Sequence, residues 1–113
     1  MNVYYETSQL KRLCDELPEA QRVLGAQSAR KLRMRLGELV AARDLSEISH
    51  RPPQRLHQLK GSRAAHFAVS LHGGHRLVFR VADLDETAGS SGEIVKTAVR
   101  SIVVTFVGDY HDE

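Results

Sequence analysis

Residues 66–81 read HFAVSLHGGHRLVFRV, and the phase of this stretch decides the fold. Two runs rich in β-formers flank a Gly-Gly pair, the composition of a tight hairpin. A two-residue Gly73-Gly74 turn would set Leu71 opposite Arg76 and Phe67 opposite Arg80, mixing apolar and basic residues on each face. A three-residue loop of His72, Gly73 and Gly74, with Gly74 left-handed, sets Leu71 opposite His75 instead. Phe67, Val69, Leu71, Leu77, Phe79 and Val81 then line one face, and Ser70, Arg76, Val78 and Arg80 the other. A one-residue slip moves a strand's whole apolar set to the wrong side, so burial selects the three-residue loop.

Working outward, the end of the chain, VRSIVVTFVGDYHDE (99–113), reads as another strand. Regular alternation sends Ile102, Val104 and Phe106 to one side. It sends Ser101, Val103, Thr105, Val107, Asp109 and His111 to the other, with Tyr110 pointing away from Asp109 and His111. Upstream, RLHQLK (55–60) is also a strand, but Leu56 and Leu59 are three apart and cannot both face one core from regular pleating. A bulge or the end of pairing between them resolves this, and the same kink turns His57 and Lys60 together toward the polar face. DLDETAGSSGE (83–93) is a long hairpin loop and HRPPQ (50–54) a connector.

The first part of the chain has helical periodicity. Thr7 or Ser8 caps a helix carrying Leu10, Leu13, Cys14 and Leu17, and Pro18 suits the first turn of a second. That second helix carries Ala29, Leu32, Leu36, Leu39 and Val40 on one face, with Gly25 a candidate for its true start. The reading is a helical hairpin over about 8–17 and 26–43. DLSEI (44–48) adds one turn capped by Asp44, and NVYY (2–5) is a short first strand. The expected architecture is α+β: an N-terminal helical hairpin on one face of a small, mainly antiparallel sheet of four to five strands, one domain over 1–113. The second face, with its arginines, histidine and aspartate, is left as a working surface.

A chain of 113 residues, 42% hydrophobic and 27% charged, supports one soluble core. MNVYYETSQLKRL holds no apolar run for a signal peptide or membrane span, and lone Cys14 excludes an internal disulfide, so a cytoplasmic location is expected. Cys14, on the apolar face of the first helix, reads as core packing. The net charge of +2 hides an asymmetry. Residues 20–80 hold twelve Lys or Arg against three acids, whereas residues 81–113 hold two against seven. A basic middle segment suits an anionic partner or a solvated helix face. HGGH (72–75) has metal-ligand spacing, but zinc needs further ligands that the sequence does not place, so no metal and no cofactor is expected.

RLHQLKGSR (55–63), the hairpin and the terminal GDYH (108–111) together resemble the RelE/ParE toxin superfamily, most closely its HigB host-inhibition branch. The similarity runs from the helical segment to the C-terminus. Two features depart from that branch: the chain has no Trp, with Phe67 and His75 where flanking aromatics are common, and its 83–98 loop is long. The resemblance implies a microbial-ribonuclease-like fold and a ribosome-dependent mRNA endonuclease, neutralised by a HigA-like helix-turn-helix antitoxin. Its partners would be mRNA in the ribosomal A site and the 70S ribosome with its rRNA, with no membrane and no small-molecule cofactor. By similarity the working residues are His57, Lys60, Arg76, Asp109, Tyr110 and His111. Arg30, Lys31, Arg33, Arg35, Arg55, Arg63 and Arg80 are candidate contacts to RNA or the ribosome.

These residue types suit metal-free RNA cleavage. A base takes the 2′-hydroxyl proton, positive charge stabilises the phosphorane, and an acid protonates the leaving 5′-oxygen, giving a 2′,3′-cyclic phosphate. One assignment makes His57 or Asp109 the base, His111 the acid, and Arg76 with Lys60 the electrostatic stabilisers, while the sequence leaves the order of His57, Asp109 and His111 among the proton roles open. Tyr110 is a candidate to stack on a base or donate a proton. Two alternatives stay open on the same fold: a ParE-like inhibitor that binds DNA gyrase, and a catalytically silent nucleic-acid-binding member.

Overall fold

Thr7 ends the first extended segment by capping a helix: its Oγ1 accepts from the Leu10 N–H at 3.1 Å. The computed structural model describes residues 1–61, 65–83, 89 and 93–110. The chain runs β1 (Asn2–Tyr5), α1 (Ser8–Asp15), α2 (Leu17–Leu24), α3 (Ala26–Ala41), β2 (His57–Gln58), β3 (His66–Ser70), β4 (His75–Val81) and β5 (Ser101–Asp109). Single 3-10 turns lie at Leu45–Glu47 and Lys96–Ala98. Asp44 caps the first of these, accepting from Ser46 N–H at 2.9 Å as the sequence predicts. Arg63, His111 and most of the 83–93 loop lie outside the described residues.

The helical segment holds three helices rather than two. Pro18 cannot continue α1 and instead opens α2, while Gly25, at φ 86°, both ends α2 and starts α3. α3 buries Ser28, Ala29, Leu32, Arg35, Leu36 and Leu39, one stripe at helical spacing.

The five strands form one mixed sheet in the order β1-β5-β4-β3-β2, with β1 parallel to β5 and the other pairs antiparallel. β3 and β4 pair with Phe67 opposite Phe79, Val69 opposite Leu77 and Ser70 opposite Arg76, the register of the three-residue loop. Leu71 N–H donates to His75 O at 3.0 Å, closing that loop. The left-handed residue is Gly73, at φ 61°, and not Gly74. The face carrying Phe67, Val69, Leu71, Leu77, Phe79 and Val81 joins the helices in the main core. There the Phe67 and Phe79 rings stack at 6.2 Å.

Two local features depart from simple alternation. β2 is only His57–Gln58, with His57 opposite Ala68. Leu56 enters the main core while Leu59 enters a second cluster, so the two leucines face opposite sides of the sheet and regular pleating suffices without a bulge. The bulge is in β5. Val78 pairs with Phe106 but Phe79 pairs with Val104, so Thr105 is an extra residue. Its Oγ1 donates to Val78 O at 3.4 Å. Beyond it every side chain changes face. Val107 joins the main core, Phe106 moves to the second face, and Asp109 comes opposite His75 on the helix side.

The second face therefore carries a small apolar centre. Leu59, Ala68 and Val78 are buried there, with Phe106 and Tyr110 packed against them.

Candidate active site

Register places the residues of the second face in rows. One row across β5, β4 and β3 is Val103, Arg80 and His66. The next is Phe106, Val78 and Ala68, extended onto β2 by His57. The third is Gly108, Arg76 and Ser70. Phe106 lies across Gly108, where a Cβ would meet its ring at 3.2 Å, and contacts Tyr110 with ring centroids 6.0 Å apart. Tyr110 thus closes over the apolar centre beside the rows that hold His57 and Arg76.

His57 is exposed, and its Nδ1 lies 3.3 Å from Arg55 O. A carbonyl only accepts, so this contact requires a proton on Nδ1, and in the neutral ring Nε2 is then the nitrogen able to accept a proton. Arg76 is half-buried and its Nη1 donates to Gly73 O at 3.1 Å and His75 O at 2.9 Å. Two backbone carbonyls at the hairpin thus hold one end of its guanidinium. Lys60 is exposed, two residues beyond β2, and the kink expected to turn it onto the face of His57 is absent, because pleating is regular from Leu56 to Leu59.

Asp109 does not share this face. The bulge at Thr105 reverses the alternation that grouped it with Ser101 and Val103, so it stands at the end of β5 opposite His75. The same reversal brings Tyr110 onto the second face. His111 falls outside the described residues, so its pairing with Asp109 on one strand face lies outside them as well.

Arg35 leaves the set of candidate RNA contacts. It is 2% exposed, and Nε donates to Ser70 O at 2.9 Å, Nη1 to Glu38 Oε1 at 3.0 Å and Nη2 to Pro53 O at 3.3 Å. Gln54 Nε2 donates to the same Glu38 carboxylate at 3.1 Å. The guanidinium ties α3 to the connector and to β3. Arg30 and Arg33 are exposed and Lys31 half-buried on α3, whose buried stripe faces the main core. These basic side chains lie in the helix layer, away from the second face. Arg55 is exposed beside β2, and Arg80 is half-buried on the second face.

Two second-face residues escaped the sequence reading. His66 stands opposite Arg80, a position that the chosen hairpin phase already implied. Phe106 reaches this face only through the bulge. Among the described residues no group of three or more His, Cys, Asp or Glu side chains is arranged to hold a metal, and no helix is long and apolar enough to cross a membrane. No protein-family model and no curated protein matches the chain.

Proposed function

We propose that the chain is a ribosome-dependent mRNA endonuclease, the toxin of a type II toxin–antitoxin pair, cleaving without a metal through 2′-hydroxyl attack. One observation carries this reading. His57, Arg76 and Tyr110, drawn from three distant segments of the chain, share one face of the sheet. His57 Nε2 takes the 2′-hydroxyl proton, and the freed oxygen attacks the adjacent phosphorus. The Arg76 guanidinium, held at Nη1 by the hairpin carbonyls, neutralises the phosphorane, and Lys60 adds positive charge from the edge of the sheet beyond β2. An acid from the terminal segment, Tyr110 or His111, protonates the departing 5′-oxygen. The face of Asp109 favours His57 over Asp109 as the base. A small helix-turn-helix antitoxin would silence the enzyme, and the exposed Arg30 and Arg33 would hold rRNA by phosphate contacts that position without specifying sequence.

The test is cell-free translation of a defined mRNA, with primer extension to map breaks. Wild type should give discrete breaks within translated codons, and His57→Ala should lose roughly 100- to 10,000-fold in rate, the span of general acid–base catalysis. Unbroken mRNA with normal translation overturns the proposal and directs the search to gyrase supercoiling.

A further inference from the structure

Asp109 and Tyr110 are neighbours that leave the sheet in opposite directions, Tyr110 onto the second face and Asp109 against the hairpin turn. A Cβ on Gly74 would come within 2.9 Å of Asp109 Oδ1, so the carboxylate lies against the turn and would have to shift if residue 74 carried a side chain. The residue opposite Asp109 is His75, whose Nδ1 lies 2.6 Å from Ser28 Oγ. Ser28 is 1% exposed, belongs to α3, and also donates to His72 O at 3.3 Å. One buried hydroxyl of the helix layer therefore grips both ends of the turn that seats the carboxylate.

We infer that Asp109 and His75 are positioning residues: Ser28 fixes the turn through His75, the turn seats Asp109, and the seated carboxylate aims Tyr110 onto the second face. In this arrangement Asp109 moves no proton. Its value is the shape of a side chain that rests on the turn at Gly74, which asparagine shares. The activity consequence rests on the nuclease reading above, whereas the geometric consequence does not.

Two measurements test it. In the translation assay, Asp109→Asn should cleave within about threefold of wild type, while Asp109→Ala and Gly74→Ala should lose roughly 10- to 100-fold, the cost of misplacing a reacting group by about 1 Å. His75→Ala should lose as much, and His75→Asn, whose amide nitrogen reaches the place of Nδ1, should recover most of it. An Asp109→Asn enzyme as dead as Asp109→Ala would make Asp109 a proton carrier and overturn the inference. The second measurement is the NMR contact between the Phe106 and Tyr110 rings. It should survive in Asp109→Asn and disappear in Asp109→Ala and Gly74→Ala. The Gly74 variant should keep the wild-type Tm, because the clash falls on the mobile end of one side chain and Gly74 has no left-handed φ. A ring contact that persists in both variants overturns the inference whether or not the chain cuts RNA. Loss of the contact in a protein whose wild type cuts no mRNA removes the nuclease reading and leaves the positioning intact.

Discussion

Replacing Arg35 by alanine should cost this protein about 3–5 kcal/mol of folding stability, the range for breaking a buried ion pair by removing one partner. The magnitude follows from what the guanidinium leaves behind. Ser70 O and Pro53 O lose their donors at 2.9 and 3.3 Å, and Glu38 loses its only ion-pair partner among the described residues. An unsatisfied buried acceptor costs about 1–3 kcal/mol, and the part-buried setting of these two carbonyls holds their share toward the lower end. The Glu38 side chain is 32% exposed and keeps the Gln54 amide at 3.1 Å, which holds its share toward the lower end. For a chain of 113 residues, total stability is of order 6–17 kcal/mol, so the loss is a large fraction of it. Urea unfolding is the assay. With a slope of roughly 1–3 kcal/mol per molar, the midpoint should fall by more than about 1 M at unchanged slope. Arg30→Ala and Arg33→Ala, exposed on the same helix, should stay within about 0.5 kcal/mol of wild type. An Arg35→Ala protein losing less than about 1 kcal/mol would refute the reasoning, since it would mean that the three bonds were not native.

Alkaline stability gives the next expectation. Burial pushes the Cys14 thiol up to about 12 from 9.0. Burial, with the neighbouring Cys14 and Asp15, pushes the Tyr5 phenol up to about 12 from 10.0. Both folded values lie above the unfolded ones, so their contribution is fully present below about pH 9 and is lost as pH rises toward 12. Thermal melts should show a steady fall of Tm across that window, and Cys14→Ala should flatten it. At the hairpin, Gly73→Ala should cost about 1–2 kcal/mol, the penalty of a side chain in left-handed backbone, measured by the same urea titration.

The hairpin was legible because two independent signals agreed. Burial of six apolar side chains demanded one register, and a Gly-Gly pair permitted the loop that delivers it. The position of Arg35 was legible too, though charge obscured it. Leu32, Arg35, Leu36 and Leu39 form one stripe, so helical spacing alone places the arginine inside the core. Grouping it with Arg30, Lys31 and Arg33 followed composition where periodicity should have ruled. The break at Gly25 was marked in the sequence, but the eight residues before it, LPEAQRVL, form a helix of their own that two helical segments could not accommodate.

The bulge at Thr105 had no such signal. In IVVTFV, residues 102–107, apolar side chains stand on both parities, so either alternation buries a hydrophobic set and the sequence cannot choose between them. What chooses is the sheet. Val104 must meet Phe79 and Val107 must meet Leu77 on the helix side, and three residues separate the first member of each pair where two separate the second. One residue has to be left over, and Thr105 fills the place with a hydroxyl that reaches the Val78 carbonyl. That surplus residue decides which of the last side chains can meet His57. Without it Asp109 would lie on the second face and Tyr110 would turn toward the helices. With it the phenol joins Arg76 and His57, and the carboxylate goes to the hairpin turn. The assignment of chemistry to the chain's end therefore depends on packing in the middle of β5, and a motif of adjacent residues cannot report on its own orientation.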